Sequence, residues 1–108
     1  MTKSEQLRKN GKMRKKSVKD GKYLSDLHSI GLSCIVCGSN RIELHHVYSV
    51  LHGVERSDHR VIPLCVGCHR TNNYSVHGKD KAMFYIDYPL DYLITIADRI
   101  RENYLAQK

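Results

Sequence analysis

The sequence has no apolar run that approaches the ~20 residues needed to cross a membrane. It also has no apolar segment behind its first basic residues, so it lacks the pattern of a secretory signal peptide. We therefore expect a cytoplasmic protein, in which paired cysteines bind metal ions more often than they form disulfides. No internal repeat is present beyond two CxxC pairs. These absences disfavour a membrane-spanning protein and a secreted, disulfide-linked domain.

The length and charge of the chain indicate one small domain with a basic N-terminal arm. A chain of 108 residues fits one domain, and its core is thin enough to benefit from a bound metal ion. The net charge is +7, and residues 1–22 carry this excess because residues 23–108 have equal numbers of acidic and basic side chains. We predict a flexible arm over 1–22 and a folded domain over 23–108. The arm is either a solubilising tail or a segment that contacts nucleic-acid phosphates.

Local patterns predict an α+β fold. Asp20 can cap a first helix that would end at Gly31. Alternating side chains predict a strand over 42–50, and a second β-rich stretch covers 60–65. A final helix begins near Pro89, because apolar residues follow it at helical spacing.

A further helix is predicted between the second strand and the final helix. Ser75 is available as its N-cap, and the helix would include His77. Three apolar side chains would be buried on one face of this helix, namely Val76, Met83 and Phe84.

The four cysteines give the strongest signal in the sequence. They form two CxxC pairs separated by 27 residues, Cys34 with Cys37 and Cys65 with Cys68. Each CxxC turn presents two thiolates to one ion, and two such turns complete a tetrahedron. We therefore predict a structural zinc site, with a thioredoxin-like redox pair as the less favoured alternative.

The histidines exceed what a zinc ion bound by four sulfurs can use. His45 and His46 are adjacent on a predicted strand, so their side chains should lie on opposite faces. One of them can then join His69 and His77 at a second metal, while the other acts as a general base. The alternatives are that the adjacent pair is an incidental surface feature, or that one member replaces a cysteine at the zinc. His28 is expected to pack or to face solvent.

Three stretches of this sequence resemble one family. The segments "LHHVYSV", "RVIPLCVGCHR" and "SVH", set within two CxxC pairs, resemble the HNH endonucleases of the ββα-metal superfamily. The similarity covers roughly residues 31–90. Within that superfamily, the sequence most resembles the phage-borne, RecA-dependent nucleases of the Ref type. The expected fold is therefore a small ββα-metal domain with a pair of zinc-binding CxxC turns, flanking helices and a basic arm.

The resemblance implies a role for each histidine of the motif. His46 would be the catalytic general base, while His45, His69 and His77 would bind a catalytic divalent ion. That ion would be Mg²⁺, Mn²⁺, Ni²⁺ or Zn²⁺. Because position i+4 from His69 is not a histidine, Asn73 is an alternative ligand.

The chain departs from the family pattern at one position. Arg60 stands where the family has the asparagine that orients the base, which leaves Asp58 or His59 as substitutes.

The activity that the resemblance implies is DNA hydrolysis with low sequence specificity, giving a 5′ phosphate and a 3′ hydroxyl. It would take place in a bacterial host cell, with a RecA-type recombinase filament as a possible partner.

A second class of function stays open at this point. The chain could be a non-catalytic, zinc-bound module that binds nucleic acid or acts as an adaptor. In that case the arm would bind phosphates and the histidines would be structural. The tyrosines of "MFYIDYPLDY" suit either base stacking or, at helical spacing, the edge of the core.

Overall fold

The computed structural model describes residues 17–107, which form an α+β fold, as predicted. Its regular elements, in chain order, are α1 (Gly21–Ser29), β1 (Glu43–His46), β2 (Val61–Leu64), α2 (Lys81–Asp87) and α3 (Leu90–Ala106). A 3₁₀ turn, Val50–His52, lies between the strands, and a single π-helical turn, Gly67–Thr71, follows β2.

The two strands form an antiparallel hairpin that places the adjacent histidines. His45 pairs with Ile62, and His46 pairs with Val61. Beyond the strands, the N–H of Val47 donates to the carbonyl of Arg60, which extends the hairpin by one residue pair. All four residues of β2 are buried, since helix α3 packs against this strand.

The core has two parts that meet at β2. The larger part surrounds the fully buried Phe84 and includes Ile62, Leu64 and Leu93. The smaller part joins α1 to the sheet through Tyr23, Leu27 and Val61. Because alternate residues of β2 serve different clusters, this strand fixes α1 and α3 relative to the hairpin.

Helix α1 begins as the sequence predicts. The side chain of Asp20 accepts a hydrogen bond from the N–H of Tyr23, and Gly31 adopts a left-handed φ of 78° after the helix. The carboxylate of Asp20 also accepts a hydrogen bond from His59 at 2.8 Å. The N–H of Asp20 donates to Asp58 at 2.7 Å. One capping residue therefore ties the start of α1 to the loop that precedes β2.

The predicted basic arm falls mostly outside the described residues. Residues 1–16 are not described, so that part of the prediction is untested. The described residues 17–22 lie against the domain, because Ser17 donates to the carbonyl of Arg56 and the carbonyl of Val18 accepts from Asp58.

The predicted helix containing His77 is wrong. His77 lies in a turn, and α2 begins four residues later at Lys81. The hydroxyl of Ser75 donates to the carbonyl of Asn72 at 2.6 Å, so it closes a turn and does not cap a helix. Val76 is buried as predicted, but Met83 is 62% exposed.

The aromatic residues of α2 and α3 form the edge of the core. Phe84 stacks on Tyr88 with ring centroids 5.0 Å apart and also contacts Tyr74 and Tyr85. Tyr92 continues the series on the surface of α3. None of the helices within residues 17–107 is long and apolar enough to cross a membrane.

The Asp20 cap should make a measurable contribution to stability. Asp20→Ala removes the cap and the acceptor for His59, so the free energy of unfolding should fall by about 1–2 kcal/mol. Asp20→Asn keeps a capping oxygen and should retain most of that stability. Urea unfolding followed by circular dichroism would measure both, and equal losses in the two variants would contradict a capping role.

Candidate functional site

The two CxxC pairs converge on one point. The four sulfur atoms of Cys34, Cys37, Cys65 and Cys68 all lie within 4.8 Å of one another. The sulfurs of Cys37 and Cys65, which come from different pairs, are 3.5 Å apart. Four thiolates at this separation can hold one metal ion such as zinc, as the sequence predicts.

Main-chain N–H groups orient the sulfurs. The N–H of Val36 donates to the sulfur of Cys34 at 3.4 Å, and the N–H of Cys68 donates to the sulfur of Cys65 at 3.4 Å. Gly38 closes the first CxxC turn with a left-handed φ of 81°. The hydrogen bond from Val36 favours the thiolate form of Cys34.

The cysteine cluster as a whole needs a cation. Burial, together with the neighbouring thiols, raises the pKa of Cys68 far above its usual value. Burial also opposes ionisation of Cys34, but hydrogen bonds from main-chain N–H groups outweigh it and lower the pKa of this thiol to about 7. Four thiolates within 4.8 Å of one another, two of them on buried cysteines, repel each other strongly, and a divalent metal ion would neutralise this charge. The donor set therefore fits a structural zinc ion.

Three histidines form a second cluster beside the cysteines. One ring nitrogen each of His45, His69 and His77 lies within 4.8 Å of the others, and the ring centroids are 4.9 to 5.2 Å apart. His45 comes from β1, His69 from the π-helical turn, and His77 from the turn before α2. Three imidazoles converging from three chain segments form a group that can bind a metal ion.

His69 is held by a carboxylate. Its Nδ1 lies 2.7 Å from an oxygen of Glu43, and Arg70 donates two hydrogen bonds to the same carboxylate. Arg70, followed by His69, lowers the pKa of Glu43 to about 2, so this carboxylate is ionised and can only accept. The proton of neutral His69 is therefore on Nδ1, which leaves the lone pair of Nε2 for a metal.

His45 is the buried member of the cluster, with 8% of its surface exposed. Burial lowers its pKa to about 3, and the charges that His69 and His77 can carry act in the same direction. His45 is therefore neutral at physiological pH, which is the state that binds a metal.

The position of His77 depends on the backbone near His69. The N–H of His77 donates to the carbonyl of His69 at 3.0 Å, and the N–H of Val76 donates to the carbonyl of Cys68 at 3.1 Å. A Cβ atom at Gly78 would lie 2.3 Å from the carbonyl oxygens of Asn72 and Asn73, so only glycine fits there. The residues that follow the last cysteine thus supply two of the three histidines of the second cluster.

His46 lies apart from the three-histidine cluster and has its own carboxylate. Its Nε2 is 2.7 Å from Asp58, whose pKa is lowered by the N–H of Asp20 and by His46 itself. Since an ionised carboxylate only accepts, the neutral ring carries its proton on Nε2 and its lone pair on Nδ1. Arg56 lies 3.3 Å from that Nδ1.

Of the residues considered as partners that orient His46, Asp58 contacts its ring, while His59 and Arg60 do not. His59 bonds Asp20, and the side chain of Arg60 faces Asp98 on α3, with 4.0 Å between Nε and the carboxylate. Asn73 is exposed and uses its main-chain carbonyl to accept a hydrogen bond from Asp80.

Both histidine groups line one surface cleft. A hollow of about 240 Å³ is bounded by His46 and Arg56 on one side and by the three-histidine cluster on the other. A second hollow of about 390 Å³ continues from it and shares His45, His46, Tyr48 and His77 as walls. A substrate in this cleft would meet the candidate metal ligands and His46 together.

Sequence reasoning placed these histidines in the site and missed two polar partners. It did not anticipate Glu43 or Arg56. Glu43 could have been found, because it lies two residues before His45 and therefore on the same face of β1. Arg56 lies in an irregular loop, where spacing carries no such signal. His28 and His52 are exposed and lie outside both clusters.

Comparison with protein-family models, with curated proteins and with solved structures finds no match for this chain. The geometry of the cysteine cluster, the three-histidine cluster and the cleft is therefore the basis for a functional proposal.

The cysteine cluster should bind an ion without any histidine as a ligand. In a Co²⁺-substituted protein, Cys68→Ser should reduce the sulfur-to-metal charge-transfer absorption and lower the thermal midpoint, because the core beside β2 depends on the bound ion. His45→Ala should leave that absorption unchanged. If both variants lose it equally, the two clusters do not bind separate ions.

Glu43 should control the affinity of the three-histidine cluster. Glu43→Gln removes the charge that holds His69, so the affinity of this cluster for Zn²⁺ or Ni²⁺ should fall about 10- to 100-fold. Glu102→Gln, an exposed change on α3, is the matched control. Titration calorimetry on protein with its cysteine site already filled would measure both, and equal affinities would contradict the assigned role.

Proposed function

We propose that this protein is a metal-dependent endonuclease of the HNH type that hydrolyses DNA phosphodiester bonds. One observation carries the proposal most strongly. The adjacent His45 and His46 diverge, so that His45 joins a three-histidine cluster while His46, bonded to Asp58, lines the same cleft. This is the separation of metal ligand and base that phosphodiester hydrolysis requires.

His46 has the features of a general base. Its hydrogen bond to Asp58 fixes the ring and its tautomer, so Nδ1 can take a proton from a water molecule in the cleft. Asp58 stabilises the imidazolium that results. In this proposal Asp58 performs the orienting task that the HNH pattern gives to an asparagine, at a different position in the chain.

His45, His69 and His77 would hold the catalytic ion. When bound, a divalent ion at three protein ligands neutralises charge on the phosphate and stabilises the leaving oxygen. Neutral imidazoles suit Zn²⁺ and Ni²⁺ well, and Mn²⁺ less tightly. The hydrogen bond from His69 to Glu43 keeps this ligand oriented while DNA enters the cleft.

Basic residues at the cleft would hold the DNA backbone. The guanidinium of Arg56 borders the smaller hollow and can move from His46 to a phosphate oxygen, which leaves Nδ1 free to act as a base. The excess charge of residues 1–22 adds affinity that is independent of base sequence and falls with salt. We therefore propose low sequence specificity.

The direct test of this proposal is nicking of supercoiled plasmid over a panel of divalent ions. His46→Ala removes the base and should lower the rate about 10²- to 10⁴-fold, because general base catalysis contributes this much. His28→Ala, an exposed histidine on α1, is the matched control and should cut at the wild-type rate. Metal content measured on the same preparations shows whether both clusters are still filled.

Two outcomes would count against the nuclease. If the wild type binds DNA but cuts with no ion, the chain is a non-catalytic zinc-bound nucleic-acid-binding module. If His46→Ala cuts as fast as His28→Ala, the activity belongs to a contaminant or to another group. Repeating the assay with and without a RecA filament tests the partner implied by the HNH resemblance.

A further inference from the structure

The cleft beside His46 contains a hollow that the proposed chemistry does not use. This larger hollow, of about 390 Å³, falls within the range of small-ligand clefts, roughly 300–1,000 Å³. Metal ligation and proton transfer need only the smaller hollow, where the three-histidine cluster faces His46 and Arg56. The larger one continues from it past His77 toward α2.

The larger hollow has an apolar floor and aromatic walls. The buried side chains of Val47, Val76 and Leu93 form the floor. Tyr48 lines it from the segment that follows β1, and Tyr85 lines it from α2. Neither tyrosine hydroxyl makes a hydrogen bond within residues 17–107, so the rings are not held there by polar contacts.

The larger hollow also has one cationic side chain in its wall. This side chain is Lys81, which lies in the wall together with His77, a residue that borders both hollows. A ligand placed here would have an apolar, flat part between the tyrosines and a negative part between Lys81 and the metal ligands. That combination describes a nucleotide.

We propose that this hollow is a subsite for an unpaired nucleobase adjacent to the phosphate held at the three-histidine cluster, and that the preferred substrate is therefore single-stranded DNA. The inference rests on the proposed function for the position of that phosphate. A base in a duplex must first leave its stack and its partner to enter the hollow, which costs a few kcal/mol. An unpaired base does not meet that cost.

The apolar floor also determines how the base is recognised. Every nucleobase has a flat π surface, so stacking against tyrosine tolerates any of them. The floor residues offer no side-chain donors or acceptors for reading the edge of the base. The subsite should therefore select unpaired over paired DNA without selecting a sequence.

Tyr48 provides a clean test because it is 47% exposed and can be changed without opening the core. The probe is a fluorescein-labelled oligothymidine with phosphorothioate linkages, which resist cleavage, and its affinity is measured by fluorescence anisotropy. Tyr48→Ala should weaken binding about tenfold, since base stacking on an aromatic ring contributes on this order. Tyr48→Phe keeps the ring and should bind like the wild type.

The matched control is Tyr92→Ala. Tyr92 is 46% exposed, lies on α3 and does not line either hollow, so its loss should leave the affinity unchanged. The basic residues of 1–22 are present in every variant and contribute equally. A duplex of the same length and linkage should bind less tightly than the single strand, and Tyr48→Ala should not weaken its binding further.

The outcomes separate this subsite from the nuclease proposal. Selective loss of single-strand binding in Tyr48→Ala supports the subsite, even if plasmid nicking shows that the protein does not cut DNA. Equal affinities for Tyr48→Ala and Tyr92→Ala, or equal wild-type affinities for single-stranded and duplex DNA, would overturn it. Neither of these results would alter the dependence of nicking on His46.

Discussion

The convergence of four sulfur atoms is the constraint on which the rest of the structure depends. A chain of this size buries few large apolar side chains, so an ion held by the four sulfurs would add stability that packing alone does not supply. The cluster joins the segment before β1 to the segment after β2. Because Cys68 is followed directly by His69, the position of the Cys68 sulfur also constrains the position of His69 in the neighbouring cluster. The position of His77 follows in turn, through its main-chain hydrogen bond to His69.

Alternation of side chains along β1 places the two adjacent histidines in different groups. Glu43 and His45 share one face of the strand and meet His69 there, while His46 projects from the other face toward Asp58. A carboxylate holds one nitrogen of His69 and another holds one nitrogen of His46. In each ring the hydrogen bond fixes the tautomer, and so determines which nitrogen keeps a free lone pair. The same arrangement leaves one ring nitrogen of each histidine free, as the proposed metal ligand and the proposed base both require.

The sequence predicted those parts of the fold that depend on local rules. Asp20 caps α1, two strands form within the predicted stretches, and the cysteines cluster, because capping, alternation and CxxC spacing each leave a pattern within a few residues. The prediction of a helix around His77 was wrong because the hydroxyl of Ser75 donates to the carbonyl of Asn72 instead of capping a helix. The spacing of residues in the sequence does not reveal this competing acceptor. Arg56 could not be predicted either, since it reaches His46 from an irregular loop. The π-helical turn at Gly67–Thr71, which carries Cys68 of one cluster and His69 of the other, was not predicted either, because no local pattern in the sequence marks it.

The segment from Cys65 to His77 serves both clusters, and this sharing has a thermodynamic consequence. Within it, the N–H of Val76 donates to the carbonyl of Cys68, and the N–H of His77 donates to the carbonyl of His69. Filling the cysteine cluster orders Cys68, and with it the backbone that orients both histidines. An ion that binds at the three-histidine cluster then meets ligands that are already ordered, and it loses less conformational entropy on binding. Binding of an ion at the four sulfurs would therefore favour binding of an ion at the three histidines, and by linkage the second ion would stabilise the first by the same free energy.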